Sequence, residues 1–298
     1  MAKYPQTLCC LLLIFGGAQA FTAGRATVSF NVRSSVVKTS ALSFNKPTSR
    51  RAYSESAHAL ASSSAGNDEE YSPSLSNIPF AVVWAALLGF TFFIAPGEAQ
   101  STYDNNIIQA IIENPQNPDV NELFVFIFNL FAVIPLALAC VALPQSSKNG
   151  PPPAPFLIVA SFLGYFILGP YMALRGSPKE ETSLDDLGWI TANVLENKIV
   201  NTGALALAAF FVTQVSWGDF SSLAQGYADM ASMSKLVSVS SVDLCILTGT
   251  AAALIPQDYR LRNPEDAARA NLIGASTLLL PVFGSLIYCV LRPKLPQD

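Results

Sequence analysis

"LFVFIFNLFAVIPLALACVAL", residues 123–143, carries no charged side chain over 21 residues. Coiled as a helix it reaches about 30 Å, the thickness of a bilayer's hydrocarbon core. Its interruptions are an amide at Asn129 and a ring at Pro135. A run this apolar has no face to offer water, so it belongs in lipid or at the centre of a helical bundle, and the chain reads as all-α.

Outward from this run the same composition recurs on both sides. "IPFAVVWAALLGFTFFIAP" (78–96) precedes it, and "PFLIVASFLGYFILGPYMAL" (155–174) follows across the Pro-rich connector "PQSSKNGPPPA". Then come "IVNTGALALAAFFVTQV" (199–215), Leu236–Ile255 and Asn271–Leu291. The expected architecture is a polytopic transmembrane helix bundle of about six spans, near 78–95, 123–143, 155–174, 199–215, 236–255 and 271–291, within a domain covering 78–296. The fourth run is the shortest and most polar. Pro135, Pro170 and Pro281 lie inside runs and should kink their helices, with neighbours re-satisfying the freed carbonyls. Two connectors read as surface helices. "STYDNNIIQAIIENP" repeats Ile pairs every four residues, and in "ETSLDDLGWITANVLEN" Ser183 precedes Asp186 at capping-box spacing.

Upstream the chain changes character. The apolar block Leu8–Ala18 is too short to cross, follows Lys3, and ends on the small residues Ala18 and Ala20, so 1–20 reads as a signal peptide. Residues 21–66 hold six basic side chains and one acid, Glu55, among many Ser, Thr and Ala, which is the composition of a disordered transit peptide. A polar tail, 67–77, opens on Asp68-Glu69-Glu70. Beyond residue 66 there are ten basic and twenty acidic residues. That balance argues against a nucleic-acid partner and leaves the lipid bilayer as the principal one.

The only histidine, His58, lies in the transit-like segment. Ser-His and Cys-His catalysis, His-ligated zinc and bis-His haem therefore have no residue to use after trimming. Cys140, Cys245 and Cys289 are isolated in apolar runs and read as packing groups. With no Gly-rich phosphate loop and no G-x-S-x-G, the expectation is a non-enzyme with no cofactor and no metal.

Asp243 is the sharpest candidate. It falls well inside the fifth run, where an ionised carboxylate costs about 2.5–3.5 kcal/mol on insertion scales. Ser238, Ser241, Cys245, Thr248 and Ala252 make a small-residue stripe on the same helix, Ser241 lying on nearly the opposite side from Asp243, so this helix belongs inside the bundle. The residue is either a proton or cation site or a structural Asp bonded to its neighbours. Asn129 and Gln214 are further intramembrane polar candidates, read as interhelical hydrogen-bonding groups. Asp258, Arg260 and Arg262, just past the fifth run, form a candidate surface or lipid-headgroup cluster. With six alternating crossings the basic residues divide six against four between the two sides, leaning towards Arg175, Lys179 and Arg260 facing the stroma.

One internal echo stands out. The third run closes on "PYMALR" and the sixth on "IYCVLR", each a Tyr-x-x-Leu-Arg. A duplication of three crossings would make a 3+3 repeat whose halves are inverted, as in many secondary transporters.

The junction Ala20-Phe21-Thr22-Ala23 between signal and transit segments resembles the Ala-Phe-Ala-Pro junction of the bipartite presequences of diatom-type secondary plastids, with Thr and Ala in place of its last two residues. "FNLFAVIPLALACVAL", "PAPFLIVASFLGYFILGPYMALR", "SVDLCIL", "PQDYRLRN" and "PVFGSLIYCVLRPKLP" together resemble a group of uncharacterised multi-span membrane proteins of cyanobacteria and plastids. That resemblance implies location and topology and no activity. It includes a paired acid in the fifth connector, where this chain reads Gln257-Asp258. The resulting expectation is a plastid membrane protein, thylakoid ahead of envelope, that acts as a non-enzymatic scaffold or assembly factor beside other plastid membrane proteins. The alternative is a secondary transporter or channel for a small solute or ion that uses Asp243.

Overall fold

The computed structural model describes residues 77–297 except 100, 116–117, 147–149 and 180. The expected signal peptide, transit segment and polar tail, up to residue 76, fall outside the described residues. Those described form eleven α-helices and no strand.

Helix α1 (Ile78–Gly89) begins with Pro79 in its first turn, where a missing N–H costs nothing, and continues through a π-helical stretch to Ile94. Helix α2 (Thr102–Glu113) starts where Ser101 accepts the Asp104 N–H at 3.1 Å. Asn121 caps α3 (Glu122–Leu130), and a three-residue turn before Pro135 separates it from α4 (Ile134–Ala142). Then come α5 (Pro153–Leu163) and α6 (Tyr165–Leu174), parted only by Gly164. After a π-helical turn at Thr191–Leu195, Asn197 caps α7 (Lys198–Thr213). Helix α8 (Phe220–Met233) leads through the Ser234 cap into α9 (Lys235–Arg262), and α10 (Ala270–Thr277) and α11 (Phe283–Leu291) close the chain.

Two stretches are long and apolar enough to cross a membrane alone: α3–α4 taken together, and α9. The pair α7 and Trp217–Met233, bent by 61°, makes a third if counted as one. The expectation of six spans therefore meets a different arrangement, and two of the six runs show why. Residues 155–174 as one rod would separate their ends by about 30 Å. Instead the rings of Phe156 and Tyr171 lie 5.3 Å apart, because the chain reverses at Gly164, whose φ of 57° suits glycine. Residues 271–291 reverse as well. Asn271 accepts from Arg260 at 2.7 Å while the Pro293 carbonyl, at the other end of the run, accepts from Arg262 at 2.8 Å. The turn between α10 and α11 contains Val282 at φ 64°, with the Phe283 N–H returning to the Pro281 carbonyl at 2.8 Å, a strained γ-turn. Pro281 thus stands in a reversal and not in a kinked span. Runs 155–174 and 271–291 are helical hairpins that start and finish at the same end of the bundle.

The consequence is a repeat. The first unit runs α1, surface helix α2, α3–α4, hairpin α5–α6; the second runs α7, surface helix α8, α9, hairpin α10–α11. Within each unit the first long helix packs on the returning limb of the hairpin and the second packs on its outgoing limb. Tyr171-x-x-Leu174-Arg175 and Tyr288-x-x-Leu291-Arg292 fall at the ends of equivalent limbs. Two end-to-end passes per unit is an even number, so the units are parallel and the inverted pairing expected from three crossings does not arise. Helices α4 and α9, running the same way, meet between the units, where Gln145 Nε2 donates to the Leu254 carbonyl at 3.2 Å.

The bundle has two unlike ends. At one, Asp104 on α2 accepts from Ser234 at 2.5 Å, Asn121 donates to the Leu223 carbonyl at 3.0 Å, and the Ser216 N–H reaches Glu122 at 2.6 Å. Among the described residues this end holds Glu98, Asp104, Glu113, Asp119, Glu122, Asp219 and Asp229 against a single base, Lys235. The other end gathers Arg175, Arg262 and Arg292 and is called the arginine face. Between them the outer surface presents large apolar side chains to the surroundings, Phe93 and Leu279 being 89% and 81% exposed.

Candidate functional site

The apex of hairpin α5–α6 is the first candidate. Tyr165 opens α6, and its N–H, which in an unbroken helix would serve the Ser161 carbonyl, donates instead to Asp243 Oδ1 at 2.8 Å. Asp243 is 5% exposed. Its carboxylate complements the positive end of the α6 dipole, which offsets part of the cost of burying it. Pro170 cannot donate to the Phe166 carbonyl, and Trp84 Nε1 supplies that missing donor at 3.1 Å, while Gly169 leaves room for the indole. The Tyr165 hydroxyl donates to the Phe80 carbonyl at 3.2 Å. Helix α1 therefore holds the hairpin limb that Asp243 caps. On the opposite side of α9, Ser241 and Tyr227 share a hydroxyl contact, so both sides of α9 meet protein.

The arginine face is the second. Arg262 donates through two nitrogens to Glu196, at 2.7 and 2.8 Å, and through Nε to Asp258 Oδ2 at 2.9 Å. Arg292 shares Glu196 Oε1 at 2.9 Å and reaches the Leu195 carbonyl at 2.9 Å. The Tyr288 hydroxyl donates to Asp258 at 2.7 Å. Two guanidinium groups thus face two carboxylates, with no side chain of the four more than 11% exposed, a neutral quartet joining α4, α9 and α11 to the connector that enters α7. Burial is the largest single influence on Arg292 and pulls its proton affinity down, but Asp258 and the other raising neighbours together outweigh it and the affinity is raised.

The expected surface cluster divides here. Asp258 is 0% exposed and Arg262 is interior, because residues four apart share one helix face and that face is the packed one. Arg260 alone points outward, to Asn271. Asn129 is half-buried in α3, and Gln214 is exposed at the end of α7, with Nε2 3.2 Å from the Thr213 hydroxyl. Neither joins Asp243.

Arg175, the repeat partner of Arg292, is bound by neutral groups. Nη2 donates to Gln257 Oε1 at 3.1 Å, Nε reaches Asn77 Oδ1 at 3.4 Å, and the guanidinium lies 5.4 Å from the Phe80 ring centre. Burial lowers its proton affinity, opposed by the nearby Tyr171 and Tyr165. Each repeat arginine therefore ties the start of its own unit's first long helix to the second long helix of the other unit. Arg175 uses Asn77 and Gln257; Arg292 uses Glu196 and the Cys140 carbonyl.

Sequence reasoning singled out Asp243, Asp258 and Arg262 and missed Gly164, Glu196 and the site roles of Arg175 and Arg292. The Tyr-x-x-Leu-Arg echo was the available signal for the two arginines. Glu196, in a polar connector, offered none. Among the described residues no three acids, cysteines or histidines converge as a metal site. Two shallow grooves, of about 270 and 420 Å³, lie beside α10 and on α7, lined by small residues such as Gly249, Gly274 and Gly203. No family model, curated protein or solved structure matches the chain.

Proposed function

We propose that the chain is a multi-pass plastid membrane protein, of the thylakoid ahead of the envelope, that conducts or carries a small solute or ion. The topology in this reading is four crossings (α1, α3–α4, α7, α9) with hairpins α5–α6 and α10–α11 inserted from one side. The observation that carries it is the pair of reversing hairpins at equivalent places in two repeats, one apex closed by the intramembrane carboxylate of Asp243. Helices broken inside the bilayer at matching positions are where transporters place their sites, since backbone dipoles end there away from water. Charge supports a sidedness. Of the nine basic residues among those described, eight fall at the arginine face and only Lys235 at the other. The positive-inside tendency then turns the arginine face to the stroma. The presequence and the resemblance to cyanobacterial and plastid membrane proteins support the location. Reconstitution of the full chain into liposomes, with ion- and solute-sensitive dyes, tests the activity; flux equal to that of protein-free vesicles across a panel of protons, monovalent cations and small anions rejects it.

A second reading, the non-enzymatic scaffold or assembly factor, draws on the neutral quartet and the shallow grooves, which describe a bundle braced against movement. Its mark would be co-migration with a larger membrane complex on native gels.

A further inference from the structure

We infer that Asp243 and the α5–α6 apex form a proton-binding site, reached from the acidic face, whose occupancy sets how firmly the hairpin is seated; the consequence for flux rests on the transport reading, the protonation chemistry does not. Three observations select a proton over a metal cation. Among the described residues Asp243 is the only acid at its depth, and they offer no cluster of ligating side chains. An atom built as Cβ on Gly164 would lie 1.6 Å from Asp243 Oδ2, so backbone and carboxylate are in close contact and no ion with oxygen ligands at about 2.3 Å fits between them. Among the described residues the carboxylate has one donor, the Tyr165 N–H on Oδ1, and no cationic partner, which leaves Oδ2 as the basic atom.

The surroundings contribute little competing charge. Helices α1 and α5 carry no titratable side chain at all, and α6 contributes only Tyr165 and Tyr171. On α9 the nearest titratable group is Cys245, and the buried Asp258 lies about 22 Å along the helix. Access is shorter from the other end. Asp243 lies eight residues from Lys235, about 12 Å, and the intervening turns carry the half-buried hydroxyls of Ser238, Ser240 and Ser241. Uptake converts the Asp243 carboxylate and a proton to the carboxylic acid with no other bond changed. It removes the negative charge that caps the α6 dipole, so the apex loosens on protonation and tightens on release.

The test uses the full chain in liposomes, with infrared difference spectra recorded on acidification and proton uptake followed by an internal pH dye. Asp243→Asn keeps an oxygen for the Tyr165 N–H and so retains the cap's shape. The expected result is a protonated-carboxyl band in the wild type that is lost in Asp243→Asn, together with loss of proton uptake. If the wild-type band appears but no protein-dependent flux of any kind does, the proton site stands and the transport reading falls. If flux is present and both flux and spectrum are unchanged by Asp243→Asn, the site is overturned and transport survives. Should Asp243→Asn not fold, the same band in ¹³C-aspartate-labelled wild type decides, its absence on acidification overturning the site.

Discussion

A methyl group on Gly164 would overlap Oδ2 of Asp243, two residues 79 positions apart that meet only because α5 and α6 reverse between them. Gly164 carries two constraints at once, a φ of 57° and the absence of a side chain. Gly164→Ala should cost about 3 kcal/mol or more, from backbone strain and the displaced carboxylate together. Gly203→Ala is the control. Its added Cβ meets nothing, so relief of helix entropy should leave the protein unchanged or stabilise it by about 0.5–1 kcal/mol. Thermal unfolding of the detergent-solubilised variants, ranked Gly203→Ala at or above wild type and Gly164→Ala well below, checks both.

Glu196 is hydrogen-bonded to both Arg262 and Arg292, whereas Asp258 bonds Arg262 and stands 3.6 Å from Arg292. Removing it leaves two buried guanidinium groups with Asp258 as their sole carboxylate. Glu196→Ala should therefore destabilise by about 3–5 kcal/mol, the usual consequence of stripping one partner from a buried ion pair. Glu196→Gln keeps an acceptor oxygen and should fall between. Apparent Tm in detergent, read for both variants, is the measurement, and an Ala variant indistinguishable from wild type would count against the quartet.

Much of the fold was legible because hydrophobicity is local. The run around Phe126 and Ile127 announces a helix for lipid from 21 consecutive residues, and the Asp243 helix declares its interior position through a polar residue that has nowhere else to go. The reversals were not legible. A helical hairpin and a kinked span have the same apolar composition, and Gly164 is one of 17 glycines. What separates them is a long-range contact, Phe156 against Tyr171, that no periodicity encodes. The same limit hid the quartet. Asp258 and Arg262 share a face by spacing, but which face is packed depends on Glu196 and Arg292, brought from 62 and 34 residues away from Asp258.

The two Tyr-x-x-Leu-Arg tyrosines should respond differently to loss of the hydroxyl. Tyr288 donates to Asp258 at 2.7 Å inside the quartet, whereas Tyr171 packs its ring against Phe156. Tyr288→Phe should cost about 1.5–3 kcal/mol, the range for a hydrogen bond to a charged acceptor. Tyr171→Phe retains the ring contact and should cost less. Side-by-side melting curves of the two Phe variants settle the order, and equal losses would mean that the motif's hydroxyls are not distinguished by Asp258.

The sharpest separation between six crossings and four with two hairpins lies in where the chain surfaces. Alternating six-span threading puts Asp119 and Ser177 on one side and Gln297 on the other. The observed reversals place Ser177 and Gln297 together at the arginine face and Asp119 at the acidic face. All three are exposed, so cysteine substitution there should be tolerated with changes within about 0.5 kcal/mol. In sealed, uniformly oriented vesicles made from a chain lacking its native cysteines, an impermeant maleimide should label Ser177→Cys and Gln297→Cys from the same side and Asp119→Cys only from the other. Under the proposed plastid location, the positive charge at the arginine face predicts that this shared side is the stromal one. Labelling of Ser177→Cys together with Asp119→Cys would restore the straight third span, and with it the inverted repeat that an odd number of crossings demands.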